Sequence, residues 1–503
     1  MLIKSNELRA LARMLSSSQE AMKRNHRVDG DQHLCWMCVS DKFLKQRIKQ
    51  TGRRFRCSFC ERPSAKTVPL SLLANWIEKV FEDHFERTSP DPSDDDYWHL
   101  RNSECGSCWY RDGEPLPDLI CEITGVNALV SDALVEILSD RHFRHDLAEM
   151  GEECDFAKDS SYSERGISQY GHHQEAWHNF EQSLHRDSRF FNRYACEVLD
   201  EIFQGVEDLG TYKGECPVRD IGPGTDIENL FRARVFQSAE TLERALKRPD
   251  LEIAPPPNER AAAGRMNPHG VSVFYGASTP ATALAEVRPP VGADVVIGEF
   301  ELRRSVRILD LRKLQEVVVE NSYFDENCRT LIERAAFLRE LSCRIVQPAM
   351  PERADRDYLV TQVIADYLAS QRNLDGILFP SVQTSEGFNV VLFPRASRTE
   401  RFALPEGADI SVGPAGYDDD RPSRDFSVHV SLPPTEEGQC DLGDESIAPF
   451  AFPNVDNDSR QTTLRLRPSS IVVHRVREVR FETIAATVMR TELPRGPDLS
   501  WML

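Results

Sequence analysis

Two Cys-x2-Cys pairs, Cys35 with Cys38 and Cys57 with Cys60, stand 18 residues apart near the start of the chain. Four thiolates at this spacing can close on one tetrahedral ion while the segment between them folds back as a hairpin. The pairs lie in HLCWMC and FRCSFC, so aromatic side chains are at hand to shield a metal. We therefore expect a structural zinc on Cys35, Cys38, Cys57 and Cys60. Such a closed site has no open coordination position. Its work is to fold a small module with little core of its own, not to hydrolyse a substrate.

The charge balance sets this end apart. The whole chain carries a formal charge of -20, yet residues 1–66 hold 15 Lys+Arg against 6 Asp+Glu. Lys42, Lys45, Arg47, Lys49, Arg53, Arg54 and Arg56 surround the cysteine pairs, with Phe43 and Phe55 interleaved. A basic module with flat aromatic rings suits phosphates and stacked bases, so nucleic acid is one candidate partner; protein is the other.

At 503 residues the chain is long for one domain, and about three are expected. No run of 18 apolar residues occurs, which predicts no membrane span. The opening MLIKSNELRALARML lacks a continuous apolar core and a small-residue cleavage site. The expected location is cytoplasmic, and the 13 cysteines are expected as thiols or metal ligands.

Periodicity divides the rest. Between 67 and 212 the apolar spacing is helical. Examples are Leu73, Trp76, Ile77, Val80, Phe81 and Phe85, then Val130 to Leu138, then Phe191 to Phe203. Cys105-x2-Cys108 lies in this region and reads either as an unligated pair in a surface loop or as part of a second site with Cys121 or His33. From Gly214 to Asp226, glycine and proline mark a linker, placed at 213–228. Beyond it the period shortens. Ser272–Tyr275, Val295–Leu302, Val306–Leu309, Gly376–Phe379 and Val390–Phe393 read as strands. Thr279–Val287 and Asp357–Gln371 read as helices, with Thr279 as N-cap and Pro280 in the first turn. An acidic, Pro/Gly-rich insertion covers about 401–460. The expected architecture is multidomain. A four-cysteine zinc module at 1–66 precedes a mostly α-helical region at 67–212, and a C-terminal α+β domain occupies 229–490.

That last domain holds an ordered set of motifs. Phe231-Arg232 opens it. Gly264-Arg265-Met266-Asn267-Pro268, Val273-Phe274-Tyr275 and Ala283-Leu284-Ala285-Glu286-Val287 follow, then Asp375 to Ser381 and Asn389 to Phe393. In this combination and order, the region from about 229 to 400 resembles the RES domain, named for Arg, Glu and Ser. The last strand is expected near 471–481. The resemblance implies a fold like that of ADP-ribosyltransferases and a toxin that destroys NAD by hydrolysis or phosphorolysis. It also implies an antitoxin or immunity protein as partner, and a setting in toxin–antitoxin systems or phage defence.

Carried over by residue, the resemblance assigns catalysis to Glu286, Arg232 and Ser381. It assigns dinucleotide binding to Arg232, Arg265, Asn267, Tyr275 and Asn389. The chemistry agrees with those roles. Guanidinium forks suit a pyrophosphate, a phenol ring suits nicotinamide, and a carboxylate steadies the oxocarbenium charge that develops when an N-glycosidic bond breaks. Met266 stands where the family often has an aromatic residue, and Arg234 is a competing choice for the first arginine. Transfer of ADP-ribose to a macromolecule is the alternative reaction. The N-terminal half looks like the helical HEPN/RES N-terminal domains. Arg165 and His172 form an R-x6-H pair that loosely resembles the HEPN ribonuclease motif, but Gly166 and Gly171 argue for a polar loop there.

Overall fold

The computed structural model describes residues 32–93, 110–166, 171–319, 321–347, 354–404, 407–418, 421–422, 425–432, 458–480 and 483–490. The Cys105–Cys108 pair and the stretch 433–457 of the acidic insertion lie outside these. No helix among the described residues is long and apolar enough to cross a membrane.

At the front, β1 (His33–Cys35), β2 (Arg53–Phe55) and β3 (Ala65–Pro69) form an antiparallel sheet in the order β1-β3-β2. Helix α1 (Lys42–Thr51) begins where the Asp41 carboxylate accepts a hydrogen bond from the Leu44 N–H at 2.6 Å. Only Leu44 and Ile48 of α1 are buried, so its remaining positions turn outward, and apart from Phe43 they are polar or basic. Helix α2 (Leu70–His84) buries Leu73, Ala74, Ile77, Val80 and Phe81, as its apolar stripe requires. Helices α3 (Leu116–Thr124) and α4 (Ala128–His142) close this first core. Between them the chain turns at Gly125 (φ 64°), where a Cβ would lie 2.3 Å from that of Ser40.

The second unit is built on a nine-stranded sheet. Its strands are β4 (Val218–Ile221), β5 (Asn229–Phe236), β6 (Phe274–Ala277), β7 (Asp294–Leu302) and β8 (Val306–Asp310). They continue with β9 (Gly376–Pro380), β10 (Phe388–Leu392), β11 (Leu464–Leu466) and β12 (Val472–Arg475). The order is β11-β7-β5-β6-β10-β9-β8-β4, with β12 also on β7. All pairings are antiparallel except β8 with β9. One face packs Leu230, Phe274, Phe300, Leu378 and Val390 into one core. The other face packs Leu309, Ile377 and Val391 beneath four helices. These are α5 (His172–Arg186), α6 (Arg193–Phe203), α8 (Cys328–Val346) and α9 (Ala354–Ser370); α7 (Pro280–Glu286) follows β6.

Three expectations change. The stretch 213–228 is not a bare linker, since it supplies the edge strand β4, whose Val218–Ile221 pairs with Val306–Leu309. Helices α5 and α6 belong to the core of the sheet, with Phe180, Leu199 and Phe203 packed among Leu338, Leu341 and Leu368. An amphipathic stripe says that a helix buries a face, but not against what. Within the acidic insertion, Asp409–Pro414 and Phe426–Ser431 pair as an antiparallel hairpin, and Val412 packs against the sheet core.

The two units are joined through α8. The residues just before it enter the front core, where Phe324 is 3% exposed and Tyr323 packs 5.2 Å from Phe85. Ser322 Oγ donates to Asp41 at 3.0 Å, and the Arg329 guanidinium donates to the Asp83 carbonyl at 2.9 Å.

Candidate functional site

The four cysteines of the front module converge. Their sulfur atoms all lie within 4.8 Å of one another. Cys35 and Cys38 are 3.6 Å apart, Cys35 and Cys60 3.5 Å, and Cys38 and Cys57 3.8 Å. A tetrahedron of sulfurs about 2.3 Å from one ion has edges of about 3.8 Å, whereas a disulfide would need about 2.05 Å. The arrangement therefore fits a metal and not a pair of disulfides. β1 delivers Cys35, the turn after it delivers Cys38, and the loop from β2 to β3 delivers Cys57 and Cys60. Burial and the hydrogen bond with Cys60 push the Cys35 thiol up. Burial also raises Cys57, but backbone hydrogen bonds from Cys60, Phe59 and Cys35 outweigh it and bring that thiol down to about 7.

A cavity of about 480 Å³ opens in the second unit. Its wall includes Arg232 from β5, Arg265, Tyr275 from β6, Glu286 from α7, Asn389 from β10 and Tyr358 from α9. Of the seven residues assigned to the site from the sequence, five share this wall. Ser381 and Asn267 are not in it, and each acts on a residue that is.

Glu286 is the last residue of α7, which begins where the Thr279 hydroxyl accepts from the Thr282 N–H at 3.1 Å. Its Oε1 receives two hydrogen bonds, from Ser381 Oγ at 2.6 Å and from Asn389 Nδ2 at 2.8 Å. Both fall on one oxygen, so the carboxylate is held in a fixed orientation with Oε2 clear of these donors. Ser381 is thus a buried donor to Glu286, and its hydroxyl also accepts from the Gln383 N–H at 3.1 Å.

Arg232 is half-buried. Its guanidinium donates to the Tyr275 carbonyl at 3.1 Å and lies 5.4 Å from the centre of the Phe274 ring. Its Nε is buried without a partner. Burial, with the nearby Arg234 charge, brings its pKa down to about 10. Arg234 itself donates to the Glu252 carbonyl and is not in the cavity wall. Arg265 donates to the Ile345 carbonyl at the end of α8 at 2.6 Å. Burial lowers its pKa against the opposing pull of Tyr358, Tyr275 and Glu286, and Arg288 adds to the lowering.

The hydroxyl of Tyr275 is spent inside the protein. It donates to Asn267 Oδ1 at 2.9 Å and accepts from the Met266 N–H at 3.1 Å. Burial pushes its pKa up to about 12, so it stays neutral. The Asn267 amide in turn donates to the carbonyls of Ala262 and Val271, each at 2.9 Å. Gln362 of α9 closes the turn by donating to the carbonyls of Gly264 and Asn267. No side chain fits at 264, where a Cβ would meet Asn267 Oδ1 at 2.6 Å and the Tyr275 hydroxyl at 2.7 Å. Asn267 thus fixes the turn that aims Arg265. Met266 is buried in the helical core and is not in the cavity wall.

Sequence reasoning missed Arg288 and Tyr358, both in the wall. Tyr358 is the second residue of the span read as a helix, and no motif marks it. Arg288 follows Glu286 by two positions, where no sequence pattern marks it. The R-x6-H pair is dispersed over other partners, with Arg165 on the Phe85 carbonyl at 3.3 Å and His172 on Glu201 at 2.9 Å.

Residues 241–412 match the family model described as the RES domain. Arg232 falls before the matched span, on a strand of the same sheet. No curated protein matches the chain. Among solved structures, the chain is similar to one in the crystal structure of the M. tuberculosis MbcT-MbcA toxin-antitoxin complex. The identity is 13% and the TM-score 0.21, over 39% of this chain and 81% of that one.

Proposed function

With residues 241–412 a RES domain, we propose that this unit is an NAD-degrading toxin that cleaves the N-glycosidic bond to nicotinamide on an ADP-ribosyltransferase-like scaffold. The observation that carries the reading is the Glu286 carboxylate, pinned through Oε1 in the wall of a cavity lined by arginines that form no ion pair among the described residues. A volume of about 480 Å³ lies within the range of small-molecule sites.

Bond cleavage places positive charge on the ribose, and Glu286 Oε2 stabilises that charge while bonding the ribose hydroxyls. Ser381 and Asn389 hold the carboxylate still, so no reorganisation is needed as charge develops. Arg232 and Arg265 draw in the anionic end of the substrate. The Tyr275 ring supplies a flat wall. In the front module Cys35, Cys38, Cys57 and Cys60 hold a structural zinc, which adds folding energy and no chemistry. A toxin of this kind calls for an antitoxin or immunity protein that restrains the cavity.

Purified protein incubated with NAD should release nicotinamide, and Glu286→Gln should lower the rate at least 1,000-fold without changing the melting temperature. Equal release by both proteins would end the proposal. Mass spectrometry of the second product, with and without phosphate, separates water, phosphate and macromolecular acceptors. Label from NAD on protein or nucleic acid would favour transfer.

A second, compatible reading concerns the front module. β2 is the free edge of its sheet, with Arg53, Arg54 and Phe55 all exposed. Arg54 stands directly across from Lys66 with no carboxylate on either among the described residues, a like-charge pairing that costs stability unless an anion meets it. This favours single-stranded nucleic acid, with Phe55 as a stacking ring. Binding of a labelled oligonucleotide should weaken steeply with salt and fall at least tenfold in R53A/R54A/F55A. Salt-independent binding would exclude the reading.

A further inference from the structure

Arg288 has a backbone conformation that its neighbours disfavour. Its φ is 44°, in the left-handed region that arginine rarely visits. It also precedes Pro289, and a residue before proline is ordinarily extended. The conformation is held by the end of α7, where the Arg288 N–H donates to the Ala285 carbonyl at 3.2 Å. Sparsely populated backbone of this kind persists where the surroundings over-determine it, and it clusters at ligand sites.

The strain brings no contact within the protein. Among the described residues the Arg288 guanidinium makes neither an ion pair nor a hydrogen bond. It is exposed, yet it belongs to the cavity wall. The other two arginines of that wall already donate to the carbonyls of Tyr275 and Ile345, whereas Arg288 keeps all its donors. It also lies close enough to Arg265 for the two charges to oppose one another. Three guanidinium groups and a single carboxylate face one hollow. That excess of two positive charges matches the two negative charges of a diphosphate.

We infer that Arg288 is the diphosphate anchor of this cavity, held at its mouth by the strained turn after Glu286. A fork of free N–H donors grips a phosphate oxygen pair bidentately, and a ligand there also relieves the repulsion with Arg265. Because Arg288 and Glu286 lie two residues apart at one helix end, the anchor and the carboxylate keep a fixed spacing. The ligand class is a nucleoside diphosphate ester, and the inference rests on the cavity being the nucleotide site proposed above.

The test is calorimetric binding of ADP-ribose and of adenosine, which lacks the diphosphate, to the full chain. Glycine accepts a positive φ, so Arg288→Gly should melt at the same or a higher temperature while binding ADP-ribose at least tenfold more weakly. Adenosine affinity should not change, and Arg288→Lys should fall between wild type and glycine. The inference is overturned if Arg288→Gly binds ADP-ribose as tightly as wild type, if adenosine binding falls equally, or if wild type does not bind ADP-ribose. Should wild type bind ADP-ribose in this pattern but release no nicotinamide from NAD, the inference stands and the cleavage reading alone fails.

Discussion

The cysteine module and the cavity solve opposite problems. In the module four groups of one kind, spread over 26 residues, converge until their sulfurs lie within 4.8 Å, and one ion would satisfy them all. In the cavity, residues from 232 to 389 meet, and much of their polarity stays unmet. Among the described residues, Arg232 keeps a buried Nε without a partner, and the Arg288 guanidinium makes no hydrogen bond or ion pair. One site gathers four like ligands that a single ion could satisfy, whereas the other gathers cationic donors that the described residues leave unmet. A protein loses stability where it keeps such groups ready, which is why strain and unpaired cations mark function more reliably than tight packing does.

Removing the metal should break the comparison most completely. A structural zinc contributes on the order of 10 kcal/mol. Chelation, or Cys57→Ser with Cys60→Ser, is therefore expected to unfold the front module, as followed by loss of a cooperative transition and by zinc release. If the chelated protein melts as before, the four-cysteine site is not structural. Next comes the carboxylate clamp. Ser381→Ala or Asn389→Ala removes one charge-assisted hydrogen bond worth about 1.5–3 kcal/mol, so kcat should fall about 10- to 100-fold with KM little changed. A change confined to KM would mean that these residues hold the substrate instead.

The smallest effect is a pH dependence. Arg232 must be charged to attract a diphosphate, and in the free protein its pKa is down to about 10. Affinity for ADP-ribose should be flat from neutrality to about pH 9 and should decline as pH rises through 10. Binding restores the charge, so the complex takes up protons in that upper range. A flat affinity up to pH 11 would show that the Arg232 charge does not contribute.

Much of this was legible from residues alone. Ligand spacing marked the cysteine site because the geometry is local. Val/Ile-rich runs such as Val295–Leu302 marked the central strands, and Thr279-Pro280 marked the start of the helix that ends at Glu286. Other features were not legible, for identifiable reasons. Val218–Ile221 is a four-residue edge strand between Pro217 and Gly222, and turn residues outweigh so short a run. Asn267 was read as a ligand contact, but its amide is consumed by the carbonyls of its own turn, a matter of three-dimensional closure. Arg288, between a helix end and two prolines, has no periodicity to reveal it. Its backbone angle does.

Helix α8 has a mechanical consequence. It runs 19 residues, about 28 Å, from a segment embedded in the front core to the carbonyl that steadies Arg265. A rigid rod fixed at one end transmits tilt to the other. One continuous helix thus ties a segment packed in the front core to the backbone carbonyl that holds Arg265 in the cavity wall.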